Sequence, residues 1–252
     1  DKFYSFFKSC HLTPSKLLEI ACFDGYLLEK LKNEGWDVYG CDPSSATQMA
    51  IERLGKEKIV NDFFTSDTYP SESFDVIIFR NLLEHLYEPN NFMQAVSRCL
   101  KPGGQIFVDV PNVKALIDIG SFGSFFHQHA SYFSLYTIST LIEEYQFKVE
   151  NVYEGSPNLF VEAVKLSDGL TSIKSLNHSS KSREEKEVFL RENQKMRSRI
   201  LEIFDHPNHQ KIAIFGASAL ITTIINFLQP HLISKIQYIF DNDLLKQDKV
   251  LF

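Results

Sequence analysis

Three groups of side chains in this sequence could do chemistry. Glu19 and Asp42 are carboxylates that flank a stretch whose first turn carries a single glycine, Gly25, followed by an apolar Leu27, Leu28, Leu31 pattern. Glu84 and His85 follow the apolar run Phe74 to Arg80 and then Asn81. His127, Gln128 and His129 lie inside an aromatic segment, Ser124 to Ser134. Carboxylates can accept ligand hydroxyls or face a cation, and histidine titrates near neutral pH, so it can act as acid, base or hydrogen-bond donor. In an extended chain His127 and His129 project the same way, a spacing that could bind metal or set a base beside a packed neighbour. Glu84, His85, His127 and His129 are also ligand types that suit a divalent ion, with Asn81 where a further acidic ligand would strengthen such a site.

The elements that must position these groups follow from periodicity. Lys16 to Cys22 is too short for a buried helix and suits a central parallel strand. Asp24 and Gly25 break it, the leucines recur at helical spacing, Gly35 stops the helix, and Asp37 to Asp42 gives the next strand. Such a βαβ unit binds ligands beyond the carboxyl ends of its strands, where Gly25 would let the chain come close. Asp42, at the end of the second strand, can accept both ribose hydroxyls of an adenosine-containing cofactor. A dinucleotide pyrophosphate calls for three glycines, and this turn offers Gly25 alone. S-adenosylmethionine (SAM) has no phosphate and carries an ammonium group, so Glu19 and a looser turn fit it better.

The alternation continues with a helix from Ser44 to Leu54, strands Lys58 to Phe64 and Phe74 to Arg80, a helix Asn91 to Leu100, a Lys101-Pro-Gly-Gly turn and a strand Gln105 to Val110. A helix Thr137 to Gln146 and strands Phe147 to Tyr153 and Leu159 to Leu166 follow. A polar, serine-rich stretch from Ser167 to Ser182 reads as a linker, and Ser182 to Phe204 as a long charged helix with a solvated face. A second βαβ start comprises Lys211 to Phe215, the turn Gly216-Ala-Ser, helix Ala219 to Leu228 and strand Ile236 to Phe240. The expected division is 1–166, 167–206 and 207–252. At the strand ends the candidate cofactor-binding residues are Glu19, Ala21, Phe23, Gly25, Tyr26, Asp42, Pro43, Asp62, Phe63, Arg80 and Asn81.

The 252 residues can bury one large core or two modest ones, and no apolar run reaches transmembrane length. With 26 basic and 32 acidic residues the formal charge is −6, which argues against broad nucleic-acid binding but admits a small anionic substrate. The four cysteines form no C-x-x-C pair, and the start lacks a signal-peptide pattern. The expectation is therefore a cytoplasmic protein with reduced thiols, no membrane partner and an open oligomeric state. Asp1 is no natural initiator, so the chain could be a piece of a longer protein.

The pattern Glu19-x-Ala21-x-x-Asp24-Gly25 followed by Asp42 resembles the first motifs of class I SAM-dependent methyltransferases, and KPGGQIFVDVPN resembles the strand after their substrate edge. FFHQHASYFS, NLFVEAVK, IAIFGASALITTIINFL and IQYIFDNDLLKQ together resemble the nucleotide-sugar C-methyltransferases that methylate deoxysugars beside a ketone. The resemblance runs from about Leu17 to Gln247 and implies an α/β fold: a Rossmann-like class I sheet with a closing antiparallel hairpin, plus a partial second α/β unit. It puts the family's suspected base on His129 and its histidine after the fourth strand on His85. Phe126 stands where the family has tyrosine, Gln128 where it has glutamate, and Ala21 at a glycine of the cofactor turn. These 252 residues hold no cysteine pairs of the kind that build the family's N-terminal zinc module, so the expectation is a chain lacking it.

The resemblance implies methyl transfer from SAM to carbon of a nucleotide-linked keto-sugar. His129 would remove the proton beside the ketone, His85 or Tyr132 would stabilise the enolate oxygen, and Gln128 would hold its neighbour by hydrogen bonds. The nucleotide diphosphate could meet the helix that follows Gly216-Ala-Ser, unless that is a simple βα turn. Oxygen or nitrogen methylation with metal assistance, and a SAM-fold domain kept for binding alone, are the alternatives.

Overall fold

The computed structural model describes residues 2–121, 124–126, 128–167, 181–216 and 219–241. Two compact units comprise residues 1–113 with 130–176, and 114–129 with 177–252.

The first unit begins with a helix, α1 (Lys2–Ser9), and continues as β1 (Lys16–Ile20), α2 (Tyr26–Lys32), β2 (Asp37–Cys41), α3 (Thr47–Leu54), β3 (Ile59–Val60), β4 (Phe74–Arg80), α4 (Pro89–Cys99) and β5 (Leu100–Pro111). A further helix, counted here as α5 (Val113–Asp118), leads into the second unit, and the chain returns as α6 (Leu135–Glu144), β6 (Phe147–Glu154) and β7 (Asn158–Lys165). The strands form one seven-stranded sheet in the order β3-β2-β1-β4-β5-β7-β6. β1 to β5 pair with one another in parallel, while β7 is antiparallel to both β5 and β6. This is the expected Rossmann-like sheet with a closing hairpin.

Burial explains the elements. β1 and β4 lie at the sheet centre and have almost every residue buried, as their continuous apolar runs require. One face carries Leu18, Ile20, Ile77, Phe79, Val108 and Val110 against α4 and α6. The other carries Leu17, Val76, Ile78, Phe107 and Phe160 against α1 and α2. α1 was not anticipated, although its Phe3 and Phe7 have helical spacing: Phe3 packs on Phe160 at 5.5 Å and Phe7 on Phe107 at 4.7 Å between ring centroids.

Three expected spans are corrected. The strand expected over Lys58 to Phe64 is paired over Ile59 and Val60 alone. Beyond it, Asn61 donates to the carbonyls of Asp42 and Ser44, and Asp62 turns its carboxylate onto the Phe63 amide, so the chain leaves the sheet. α3 starts at Thr47 rather than Ser44, because the Ser44 amide is held by Asp42 and the Ser44 carbonyl by the Thr47 hydroxyl. The KPGG turn lies inside β5 as a bulge: pairing jumps from Phe74–Leu100 to Val76–Gln105, and Gly103 takes φ +74°.

The second unit contains α7 (Lys181–Asp205), β8 (Ile212–Phe215), α8 (Ala219–Phe227), α9 (Pro230–Ile233) and β9 (Ile236–Phe240), with β8 and β9 parallel. Phe204, Leu228 and Leu232 form its small core. Within this unit Phe125 packs edge-on against Phe189, and Gly120 lies so close to Glu192 and Asn193 that a Cβ would collide with them. His127, Ala217, Ser218, most of the expected linker and the Asn242 to Gln247 motif lie outside the described residues.

Candidate active site

The carboxyl ends of β1, β2 and β4 gather most of the residues that the sequence singled out. The turn after β1 has a left-handed backbone at three alternate positions, Ala21 (φ 59°), Phe23 (φ 50°) and Gly25 (φ 73°). Two of the three are not glycine, so the turn keeps a glycine-rich conformation against side-chain preference. Gly25 is there for packing as well as conformation: a Cβ would stand 2.9 Å from that of Ala50 on α3. Phe23 and Tyr26 are exposed, at 60% and 62%.

Asp42 ties this turn to the next loop. Its Oδ2 accepts the Phe23 amide at 3.0 Å and its Oδ1 the Ser44 amide at 2.8 Å. Each oxygen has a second lone pair, so two further donors can be accepted. Pro43, Asp62 and Phe63 are exposed on the loops after β2 and β3.

Glu19 is buried near the end of β1. Arg80, at the end of β4, donates from Nε at 3.0 Å and from Nη2 at 2.7 Å, both to Oε1 of Glu19. Glu19 Oε2 is buried with no hydrogen-bond partner among the described residues. Burial raises the Glu19 carboxyl to about 6, against the opposing pull of the Arg80 charge. A buried acceptor of this kind fits a cationic donor such as an ammonium group. Asn81 follows in a left-handed conformation, exposed, its amide on the Asp109 carbonyl at 2.8 Å.

The turn Leu83–His85 leads away from β4. His85 is half-exposed, with Nε2 4.0 Å from Glu84 Oε1. Glu84 precedes it in the same turn. Its carboxyl is buried, burial pushes it up to about 7, and Oε2 has no hydrogen-bond partner among the described residues. The Glu84 carbonyl accepts the Ser131 amide at 3.1 Å, which sets the chain at Tyr132 beside this turn. In the second unit, the His129 amide bonds the Phe126 carbonyl at 3.0 Å and its imidazole lies 4.3 Å from the Phe126 ring. Gln128 between them is exposed. A cavity of about 760 Å³ beside α4 is lined by Phe64, Leu86, Tyr87, Phe92 and Arg98, with Phe64 and Leu86 next in the chain to Phe63 and His85.

Burial disfavours the thiolate form of the cysteines. All four cysteines are free, and burial raises Cys10 and Cys41 to about 12 and Cys22 higher still. Among the described residues no helix is long and apolar enough to cross a membrane.

A family model described as a methyltransferase domain matches residues 2–152, more than half of the chain. The chain belongs to the SAM-dependent methyltransferases. Its methyltransferase sheet is like that of the 1,6-didemethyltoxoflavin-N1-methyltransferase of Burkholderia thailandensis, solved with S-adenosylhomocysteine (SAH), at a TM-score of 0.53 and 14% identity, covering 66% of this chain and 77% of that one. The ubiquinone biosynthesis O-methyltransferase of Pectobacterium atrosepticum is 31% identical over 111 residues, 41% of this chain and 46% of that protein. The C-methyltransferase NovU of Streptomyces niveus is 28% identical over 141 residues, 54% of this chain and 34% of that protein. The matched region thus spans less than half the length of either relative.

Proposed function

We propose that this methyltransferase binds SAM at the carboxyl edge of β1, β2 and β4 and methylates carbon in a nucleotide-linked keto-sugar. The unpartnered, buried Glu19 Oε2 carries the cofactor half of this reading, because it suits the ammonium of the methionine end. Asp42 would accept the ribose hydroxyls, while Ala21, Phe23, Gly25 and Tyr26 frame the turn beneath. Pro43, Asp62 and Phe63 would flank the adenine, and Arg80 and Asn81 would close the edge on the β4 side. When bound, SAM supplies a methyl group already activated on a sulfonium.

The longer match to a C-methyltransferase supports the acceptor half, together with the histidine segment. A proton beside a ketone is weakly acidic, so its removal needs a base near neutral pKa and a donor for the developing enolate oxygen. His129 is the proposed base, His85 or the Tyr132 hydroxyl the proposed donor, and Gln128 the hydrogen-bonding neighbour. With a keto-sugar nucleotide in deuterated water, the wild type should exchange the proton beside the ketone and His129→Ala should not. Retained exchange in that variant removes His129 as the base.

The match to the ubiquinone O-methyltransferase favours a second reading, oxygen methylation of a small molecule. Carbon-13 NMR of the product from labelled SAM separates the two, since a methyl on carbon and a methyl on oxygen resonate far apart.

A further inference from the structure

Four polar residues stand in a row across adjacent strands at the carboxyl edge, on the sheet face that α1 covers. Glu19 on β1 is level with Ile78 on β4, and Arg80 two residues on is level with Asp109 on β5. Asp109 is in turn level with Phe160 on β7, two residues from Asn158. The period-2 alternation of strands puts Glu19, Arg80, Asp109 and Asn158 on one face. Side-chain hydrogen bonds join the row in two pairs. Asn158 Nδ2 donates to Asp109 Oδ1 at 2.6 Å, and Arg80 donates twice to Glu19 Oε1. The Phe3 ring of α1 lies 5.3 Å from the Arg80 guanidinium.

The geometry of Arg80 is uneven. A guanidinium and a carboxylate pair best as a fork, with one N–H on each oxygen. Here both donors fall on one oxygen of Glu19, and the second oxygen is left buried without a hydrogen bond. The Asp109 carboxylate provides a reason, because it attracts the same cation from the neighbouring strand. Glu19, Arg80 and Asp109 together, when ionised, carry one excess negative charge in a buried place. Such a charge is costly unless a cation joins it.

We propose that Asp109 and Asn158 are positioning residues for the amino-acid end of the cofactor. Asn158 fixes the Asp109 carboxylate, Asp109 holds Arg80 off the second oxygen of Glu19, and that oxygen stays open to the ligand's ammonium. The proposal rests on the SAM reading given above. It adds two residues that need no contact with the ligand.

Calorimetry on the full chain tests it with two ligands, SAH and methylthioadenosine, which keeps the nucleoside thioether and lacks the amino-acid end. In Asp109→Asn, Arg80 is freed to take both Glu19 oxygens, and SAH affinity should fall about tenfold, the scale of one charged hydrogen bond, with methylthioadenosine affinity unchanged. Asn158→Ala, a milder change that keeps the charge, should weaken SAH about threefold with the same selectivity. Equal losses for both ligands would mean general damage to the edge and overturn the proposal, as would unchanged SAH affinity in both variants. A wild type that binds neither ligand overturns the cofactor reading and the proposal together. A wild type that binds SAH while neither variant discriminates overturns the positioning role alone.

Discussion

The Phe23 amide donates to Asp42 Oδ2 at 3.0 Å, while the other oxygen of that carboxylate holds the Ser44 amide at 2.8 Å. One side chain therefore closes the turn after β1 and the loop after β2. Removing it in Asp42→Ala should lower stability by about 2 kcal/mol, since two amides lose an ionised acceptor. Asp42→Asn, which retains one carbonyl oxygen, should lose about half as much. Thermal or urea unfolding checks this, and equal stability of the three proteins would show that the two bonds carry no weight.

Ala21 and Phe23 hold φ values of 59° and 50°, a region that costs a side-chain-bearing residue roughly 1–2 kcal/mol. Ala21→Gly and Phe23→Gly should each raise stability by about 0.5–1 kcal/mol after the greater entropy of unfolded glycine is set against the relief. A lower thermal midpoint in either variant would mean that its side chain contributes more by packing than its backbone loses by strain.

Glu84 gives the fold a pH dependence of definite sign. Its carboxyl is raised to about 7 by burial, above its ordinary value of 4.5, so between those values the folded chain keeps a proton that the unfolded chain releases. Stability must then fall as pH rises through that window. Glu84→Gln removes this titration. It should match the wild type near pH 5 and exceed it near pH 8 by on the order of 2–3 kcal/mol, measured by urea unfolding at both values. A difference independent of pH would contradict the assignment.

How much of this was legible in the sequence depended on how local the cause was. β4 and β9 fall on Phe74–Arg80 and Ile236–Phe240 as expected, because continuous apolar runs bounded by turn residues fix them. β3 shrank to Ile59–Val60, since Asn61 bonds to carbonyls on another loop, a contact that periodicity cannot show. α1 is only eight residues long, and its Phe3 and Phe7 spacing is a faint local cue beside the burial that the sheet gives it. At the site, Glu19 and Asp42 stand out in the sequence as carboxylates at the ends of apolar strands. The pairing of Arg80 with Glu19 joins residues 61 apart, and Asn158 with Asp109 joins residues 49 apart, so both came from the sheet order. Glu84 carried a weak signal, a carboxylate between Leu83 and His85, but its burial depends on tertiary packing.

The segment around His129 offers a prediction about rate. Gln128 cannot stabilise an imidazolium as a carboxylate does, so Gln128→Glu should speed proton exchange beside the ketone by about tenfold if His129 is the base. NMR of a keto-sugar nucleotide in deuterated water measures that rate. An unchanged or slower exchange would detach Gln128 from the reaction.

The central claim is that Glu19 receives the ammonium of SAM. Calorimetric titration of SAH from pH 5 to pH 8 tests it most directly, comparing the wild type with Glu19→Gln. Besides Arg80, the charges that act on Glu19 are those of Asp24 and Asp42, and its carboxyl stands near 6. The account predicts one SAH per wild-type chain, with affinity that weakens as pH falls through about 6 because protonated Glu19 no longer attracts the ammonium. Glu19→Gln should bind at least about tenfold more weakly at pH 8 and show no such dependence. A wild type that binds no SAH, or two proteins with the same affinity and the same pH profile, would contradict it.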